Sequence, residues 1–270
     1  MSKILLVSGC SYSDEKWTSV HHPELDVSWP KWPQLLAKKL DMQLVNLSES
    51  GAGQEYIYSS IIDKLQTIEH SKIGLVVAAW STAPRRDYQI QTSYLKKTKW
   101  TNEMFDSKGF MNYWIDRSLR YYYSLQTICE YLKIPFKQFQ MVDLFKGYLW
   151  QELISKRTNN VPSDKQIPVL NKPEDLTIDE KYWKEKKEKG YLAQIHDSPY
   201  YEKINDNFIG WPTDPRLNGY SMNNKVLGNA TDRISEIDLH PNKQGQEKIA
   251  QFIFDRLGYS KGLNKIGFYI

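Results

Sequence analysis

Cysteine is scarce in this chain. Cys10 and Cys129 are the only two in 270 residues. One lies beside a loop that follows an apolar run, the other inside a helical pattern, so no disulfide framework is expected and a reducing compartment fits. Long apolar runs are missing too. None approaches the ~20 residues needed to cross a membrane, and the run at residues 4–7 is too short for the apolar core of a secretory signal. The expectation is a cytoplasmic chain without a membrane span, free or as part of a larger particle. Charge of one sign is not in excess: 36 Lys and Arg against 32 Asp and Glu leave +4. The densest basic stretch, residues 181–189, interleaves Lys with Glu and reads as a solvated helix face, so nucleic acid is not an expected partner. No Gly-rich loop opens a helix in the way that cradles a nucleotide phosphate. His21 and His22 are adjacent, and neighbours in an extended segment point to opposite faces. No third ligand stands at a suitable spacing, so no metal is expected. No internal repeat is found.

What is present belongs to a globular domain: 40% hydrophobic and 25% charged residues, with 9 Trp and 18 Tyr. Residues 4–7, 43–47, 73–80 and 135–141 read as short buried strands, the clearest being the continuous apolar run 73–80. Residues 31–40, with Pro33 in the first turn, 54–65, 117–132 and 242–257 carry apolar residues at helical spacing. Strands alternating with helices predict a parallel sheet with right-handed crossovers. The expected fold is a three-layer α/β/α sandwich, flavodoxin-like, with a mainly parallel sheet of about five strands. One domain covers 1–270. Its middle, about 142–230, is polar, rich in aromatic residues and interrupted by prolines such as Pro162, Pro168 and Pro173. It reads as an insertion or lid, a possible glycan-facing wall.

Four short segments carry chemistry-bearing residues. Gly9-Cys10-Ser11 follows the first strand. Asn46-Leu47-Ser48-Glu49-Ser50-Gly51-Ala52-Gly53 follows the second. Ser81-Thr82-Ala83-Pro84-Arg85 follows the third. Asp238-Leu239-His240-Pro241-Asn242 precedes the last helix. In an open parallel sheet the loops after the strands open on one edge, where ligands bind. A serine projecting there, a histidine to take its proton and a carboxylate to orient the histidine make a nucleophilic site. Backbone N–H groups at small residues can hold an oxyanion. Asp238 and Glu236 are both near enough in sequence to support His240; Asp238, two residues away in an extended segment, shares its side.

These segments resemble the blocks of the SGNH (GDSL-like) hydrolase family, in a divergent form found in bacterial and phage genomes. Gly9-Cys10-Ser11 is similar to the family's Gly-Asp-Ser, with Cys in place of Asp. Residues 46–53 resemble its second block, with Gly51 as the oxyanion glycine, and residues 238–241 its last. The resemblance covers the first eighty or so residues and the last thirty. It implies an esterase with Ser11, His240 and Asp238 as catalytic residues, and Ser11, Gly51 and Thr82 at the oxyanion hole. Arg85 and Tyr12 are candidate substrate contacts. It requires no cofactor and implies a small-molecule or glycan ester substrate. Two positions depart from the family: Ser81-Thr82 stand where its third block carries Asn, and Ile237 stands where its Asp precedes the histidine by three. An O-acyltransferase of the same fold and a degenerate member used for binding or assembly, as an oligomer or within a larger complex, stay open as alternatives.

Overall fold

The computed structural model of the chain describes residues 2–91, 98–103, 109–145, 147–149, 152–153 and 176–258. The expectations placed on Pro162, Pro168 and Pro173 lie outside the described residues.

Five strands form one parallel sheet: β1 (Ile4–Ser8), β2 (Gln43–Asn46), β3 (Ile73–Trp80), β6 (Phe136–Gln140) and β7 (Phe208–Ile209), in the order β2-β1-β3-β6-β7. The order reverses at β1 and β3, which places the loops after both strands at the switch point. The α-helices among the described residues include α1 (Trp32–Leu40), α2 (Gln54–Leu65), α3 (Met111–Tyr131), α4 (Ile178–His196), the short α5 (Met222–Lys225) and α6 (Lys243–Arg256). Helices flank the sheet as a three-layer α/β/α sandwich, as the pattern predicts. Every residue of β3 is buried, which is why it reads as an unbroken apolar run.

Three features were not legible in advance. A two-stranded antiparallel hairpin, β4 (Arg86–Gln91) with β5 (Thr98–Glu103), follows β3 directly. Helix α3 begins at Met111, six residues before the expected 117, because Trp114 and Ile115 also bury against the core. The middle segment contributes to the sheet itself, since Phe208 and Ile209 pair with β6. Its rings at Tyr200, Tyr201, Phe208 and Trp211 pack onto the core. Trp211 lies against Phe208 and donates its indole N–H to Tyr201 O. These rings fill space, so they do not form the open wall expected of them.

A buried polar network underlies the third loop. On β6, Gln138 and Gln140 are fully buried, which is tolerated because their amides are paired. Trp80 Nε1 donates to Gln138 Oε1 at 3.0 Å, and the Tyr122 hydroxyl to Gln140 Oε1 at 2.7 Å. Gln140 and Gln54 both donate to the Ser81 carbonyl, at 2.6 and 2.8 Å. The backbone where β3 ends is thereby held from two sides.

Candidate active site

Ser11 sits three residues beyond β1, and His240 three residues before α6, 229 positions away in sequence. The fold brings Ser11 Oγ to 2.8 Å from His240 Nε2. On the other side of the ring, His240 Nδ1 lies 2.7 Å from Asp238 Oδ1, and the His240 backbone N–H donates to the same oxygen at 3.1 Å. An ionised carboxylate only accepts, so Asp238 fixes the proton on Nδ1 and leaves Nε2 as the acceptor of the serine hydroxyl proton. Of the two candidate supports, the one in contact is therefore Asp238. The cap of α6 falls to Asn242, whose side chain accepts from Gly245 N at 3.1 Å, so Asp238 is not spent on capping.

Asp238 is held in turn. It is 2% exposed. Ser19 Oγ donates to Asp238 Oδ2, and the Asp238 N–H donates to Ser235 Oγ at 3.0 Å. Ser235 Oγ also lies 2.8 Å from His22 Nε2. The loop after Ser11 and the loop before His240 are thus stitched together across the site. Trp17 lies along the imidazole with ring centroids 4.3 Å apart and planes 28° apart. Tyr12, a candidate substrate contact from its place beside Ser11, is instead buried. Its ring leans on His240 at 4.9 Å, and its hydroxyl donates to Leu239 O at 3.0 Å and Asn223 Oδ1 at 3.3 Å. It supports the histidine loop, because its one polar atom is spent inside the protein.

The second loop supplies backbone donors. Gly51 has φ +83°, which a side chain would resist. Neither Ser11 N–H nor Gly51 N–H has a hydrogen-bond partner among the described residues. This loop is clamped from the hairpin: Asp87 Oδ1 accepts from Gly53 N at 2.8 Å, and its Oδ2 from Tyr56 N at 3.0 Å. Asp87 so caps α2, whose own N-cap is Gly53 and has no side chain to offer. Thr82 does not supply a donor here. Its hydroxyl hydrogen goes to Leu144 O at 2.9 Å. Arg85 comes closer to this loop, with Nη1 donating to Ala52 O at 3.0 Å and to Ser81 Oγ at 2.8 Å.

The electrostatics suit a neutral base. Burial is the largest influence on His240 and lowers its pKa. The Asp238 carboxylate opposes that, and the positive charge of Arg85 adds to it, leaving the imidazole below its ordinary value. For Asp238 burial alone would act upward, but hydrogen bonds from Ser19 and His240 outweigh it and hold the carboxyl below its ordinary value.

Trp17, Ser19 and Ser235 were not singled out from the sequence, and His22 was weighed there only as one of an adjacent pair that could suggest metal. Trp17 is one of several large apolar residues in that loop, with Val20, Leu25, Val27 and Trp29, so no local pattern marked it. Among the described residues no cluster of His, Cys, Asp or Glu could hold a metal ion, and both cysteines are buried and free. No helix among the described residues is long and apolar enough to cross a membrane.

No family model and no curated protein sequence matches this chain. Solved structures of similar fold include a psychrotrophic esterase from Pseudoalteromonas sp., at 13% identity and a TM-score of 0.45 over 96% of this chain and 98% of that one. Another is a lipase from a goat rumen metagenome, at 11% identity and a TM-score of 0.45 over 94% and 97%. A third is a protein described as a GDSL-like lipase from Parabacteroides merdae, at 11% identity and a TM-score of 0.42 over 95% and 96%. Likeness at this level does not determine chemistry, which is read from the side chains.

Proposed function

We propose that this chain is a serine ester hydrolase of the SGNH type, acting through an acyl-enzyme on an acyl or acetyl ester. The observation that carries the reading is the unbroken chain Ser11 Oγ–His240–Asp238, with contacts of 2.8 and 2.7 Å. In it, Ser11 Oγ attacks the ester carbonyl while its proton passes to His240 Nε2. The carbonyl electron pair moves onto oxygen, where the N–H groups of Ser11 and Gly51 receive the charge. The intermediate then collapses, the carbonyl re-forms and the alkoxide leaves with the proton from Nε2. Water, deprotonated by the same histidine, releases the acid. Asp238 keeps the ring oriented and stabilises it when charged.

A carbohydrate carrier for the ester belongs to this reading. Its support is a cavity of about 500 Å³ lined by Trp100, Tyr113 and Tyr121 together with Glu55, Asp87 and Arg117. Aromatic faces mixed with polar groups suit a sugar. Asp87 links that cavity to the Gly51–Gly53 loop through its bond to Gly53 N.

Fluorophosphonate labelling, with the modified peptide located by mass spectrometry, tests the nucleophile. The expected result is a single adduct on Ser11, absent in Ser11→Ala and weakened in His240→Ala. Folded protein that takes no label would reject the hydrolase and leave a binding or assembly role.

A further inference from the structure

Asp238 lies on an irregular segment before α6, and Ser19 on another between β1 and α1. Neither residue belongs to a helix or strand, so the place of the carboxylate depends on individual hydrogen bonds. Two serine hydroxyls supply them. Ser19 Oγ donates to Asp238 Oδ2, and Ser235 Oγ accepts from the Asp238 N–H at 3.0 Å. Both hydroxyls lean on one further residue, His22. Its backbone N–H donates to Ser19 Oγ at 2.9 Å, and its Nε2 lies 2.8 Å from Ser235 Oγ.

A hydroxyl has one hydrogen and two lone pairs, so its direction is set by what it donates to and what it accepts from. Ser19 gives its hydrogen to Asp238 and takes the His22 N–H on its other side. On the His22 ring the Glu24 carboxylate, 3.8 Å from Nδ1, favours the proton there. Nε2 then accepts the Ser235 hydrogen, which turns a Ser235 lone pair toward the Asp238 N–H. The Ser235 N–H closes the turn by donating to Asp238 O at 3.1 Å. One residue of the first loop therefore directs both hydroxyls that hold a carboxylate of the last, across more than 200 positions of sequence.

We propose that His22 is a positioning residue of this site: holding Ser19 by its backbone and Ser235 by its imidazole, it fixes the Asp238 carboxylate and, through it, the angle at which His240 faces Ser11. This rests on the hydrolase reading. His22 acts only through Asp238 and its two serines. A misplacement of about 1 Å at a reacting group costs up to roughly 100-fold in rate. The loss falls on the proton transfer between Ser11 and His240, so it appears in kcat more than in KM.

The test compares wild type with His22→Ala, His22→Gln, Ser235→Ala and the double variant His22→Ala/Ser235→Ala. Two quantities are read: kcat and KM on p-nitrophenyl acetate, and the low-field proton resonance of the His240 Nδ1–H bond to Asp238. For His22→Ala we expect kcat to fall roughly 10-fold with KM within about 2-fold, and the resonance to shift or broaden. His22→Gln keeps a polar end that can meet Ser235 Oγ, and should restore most of both. The double variant should lose no more than the worse single one, because both changes remove the same contact. Should His22→Ala not fold, Ser235→Ala carries the test, since it removes the other half of that contact. A folded His22→Ala that melts earlier yet keeps the wild-type kcat and resonance would overturn the proposal and leave His22 a structural residue. Losses that add in the double variant would overturn it too. Both results leave Ser11 labelling by fluorophosphonate in the wild type untouched. A wild type that takes no label at Ser11 would overturn this proposal and the hydrolase reading together.

Discussion

Trp17 lies nearly flat against His240, 4.3 Å between ring centroids. The indole is 7% exposed, so it covers one face of the imidazole and keeps water from it. That contact links two effects on the histidine. It limits rotation of the ring, and it contributes to the burial that lowers the imidazole pKa. Trp17→Ala is therefore expected to raise the His240 pKa toward about 6.5, seen by NMR titration of the ring. It should also cost about 3 kcal/mol of stability for the lost packing. Trp17→Phe, which keeps an aromatic face, should move the pKa less. An unchanged titration in the Ala variant would mean the indole does not shield the ring.

Asp238→Asn should leave the fold intact and cut kcat on p-nitrophenyl acetate by roughly 10⁴-fold. An amide can donate to Nδ1 and so favour the wrong tautomer. Ser19→Ala removes only the donor to Oδ2, so its effect should be far smaller, about 10-fold. Equal losses in the two variants would contradict a role for Asp238 as the direct partner of the ring.

The pH dependence follows from the direction of the His240 shift. Only the neutral ring accepts the serine proton, so kcat/KM should rise with pH and reach half its plateau below about 6.5. The sign for stability is the same. A histidine whose folded pKa is lowered binds its proton more readily when unfolded. Its contribution is complete above the unfolded value of about 6.5 and is lost as pH falls toward the folded value. Asp238, also lowered, adds a second loss below about 3.9. Thermal melts of His240→Gln should show a weaker decline between pH 7 and 5 than the wild type, in that roughly two-unit window.

If the cavity beside the Gly51 loop holds a sugar, Trp100→Ala should raise KM for acetylated sugars by about 10-fold, the loss of one aromatic contact of ~1.4 kcal/mol. Hydrolysis of p-nitrophenyl acetate, which does not fill the cavity, should be nearly unchanged. Equal effects on both esters would argue against a carbohydrate subsite there.

Much of the architecture was legible because buried parallel strands and amphipathic helices leave direct patterns. The run Ile73–Trp80 is apolar throughout because both its faces are covered, and Gln54–Leu65 shows its buried face at helical spacing. The hairpin Arg86–Gln91 with Thr98–Glu103 left no such trace. Its strands are largely polar, and a polar alternation is hard to tell from loop. The strand Phe208–Ile209 is two residues long, too short for any period.

By itself the sequence determined which groups of the site were available and on which edge they would meet: a serine after the first strand, glycines after the second, and an Asp-Leu-His before the last helix. Those assignments follow from chain connectivity, because in a parallel sheet the order of strands and crossovers dictates where each loop opens. Only the tertiary structure decided how the groups are used. Thr82 and Tyr12 both stand at suggestive positions, yet each gives its hydroxyl hydrogen to the protein. Arg85 stands three residues after Thr82, yet its Nε has no hydrogen-bond partner. A hydroxyl has one hydrogen and a guanidinium has five N–H donors. Which of them remains for a substrate depends on acceptors brought in from distant segments, and no local pattern records those.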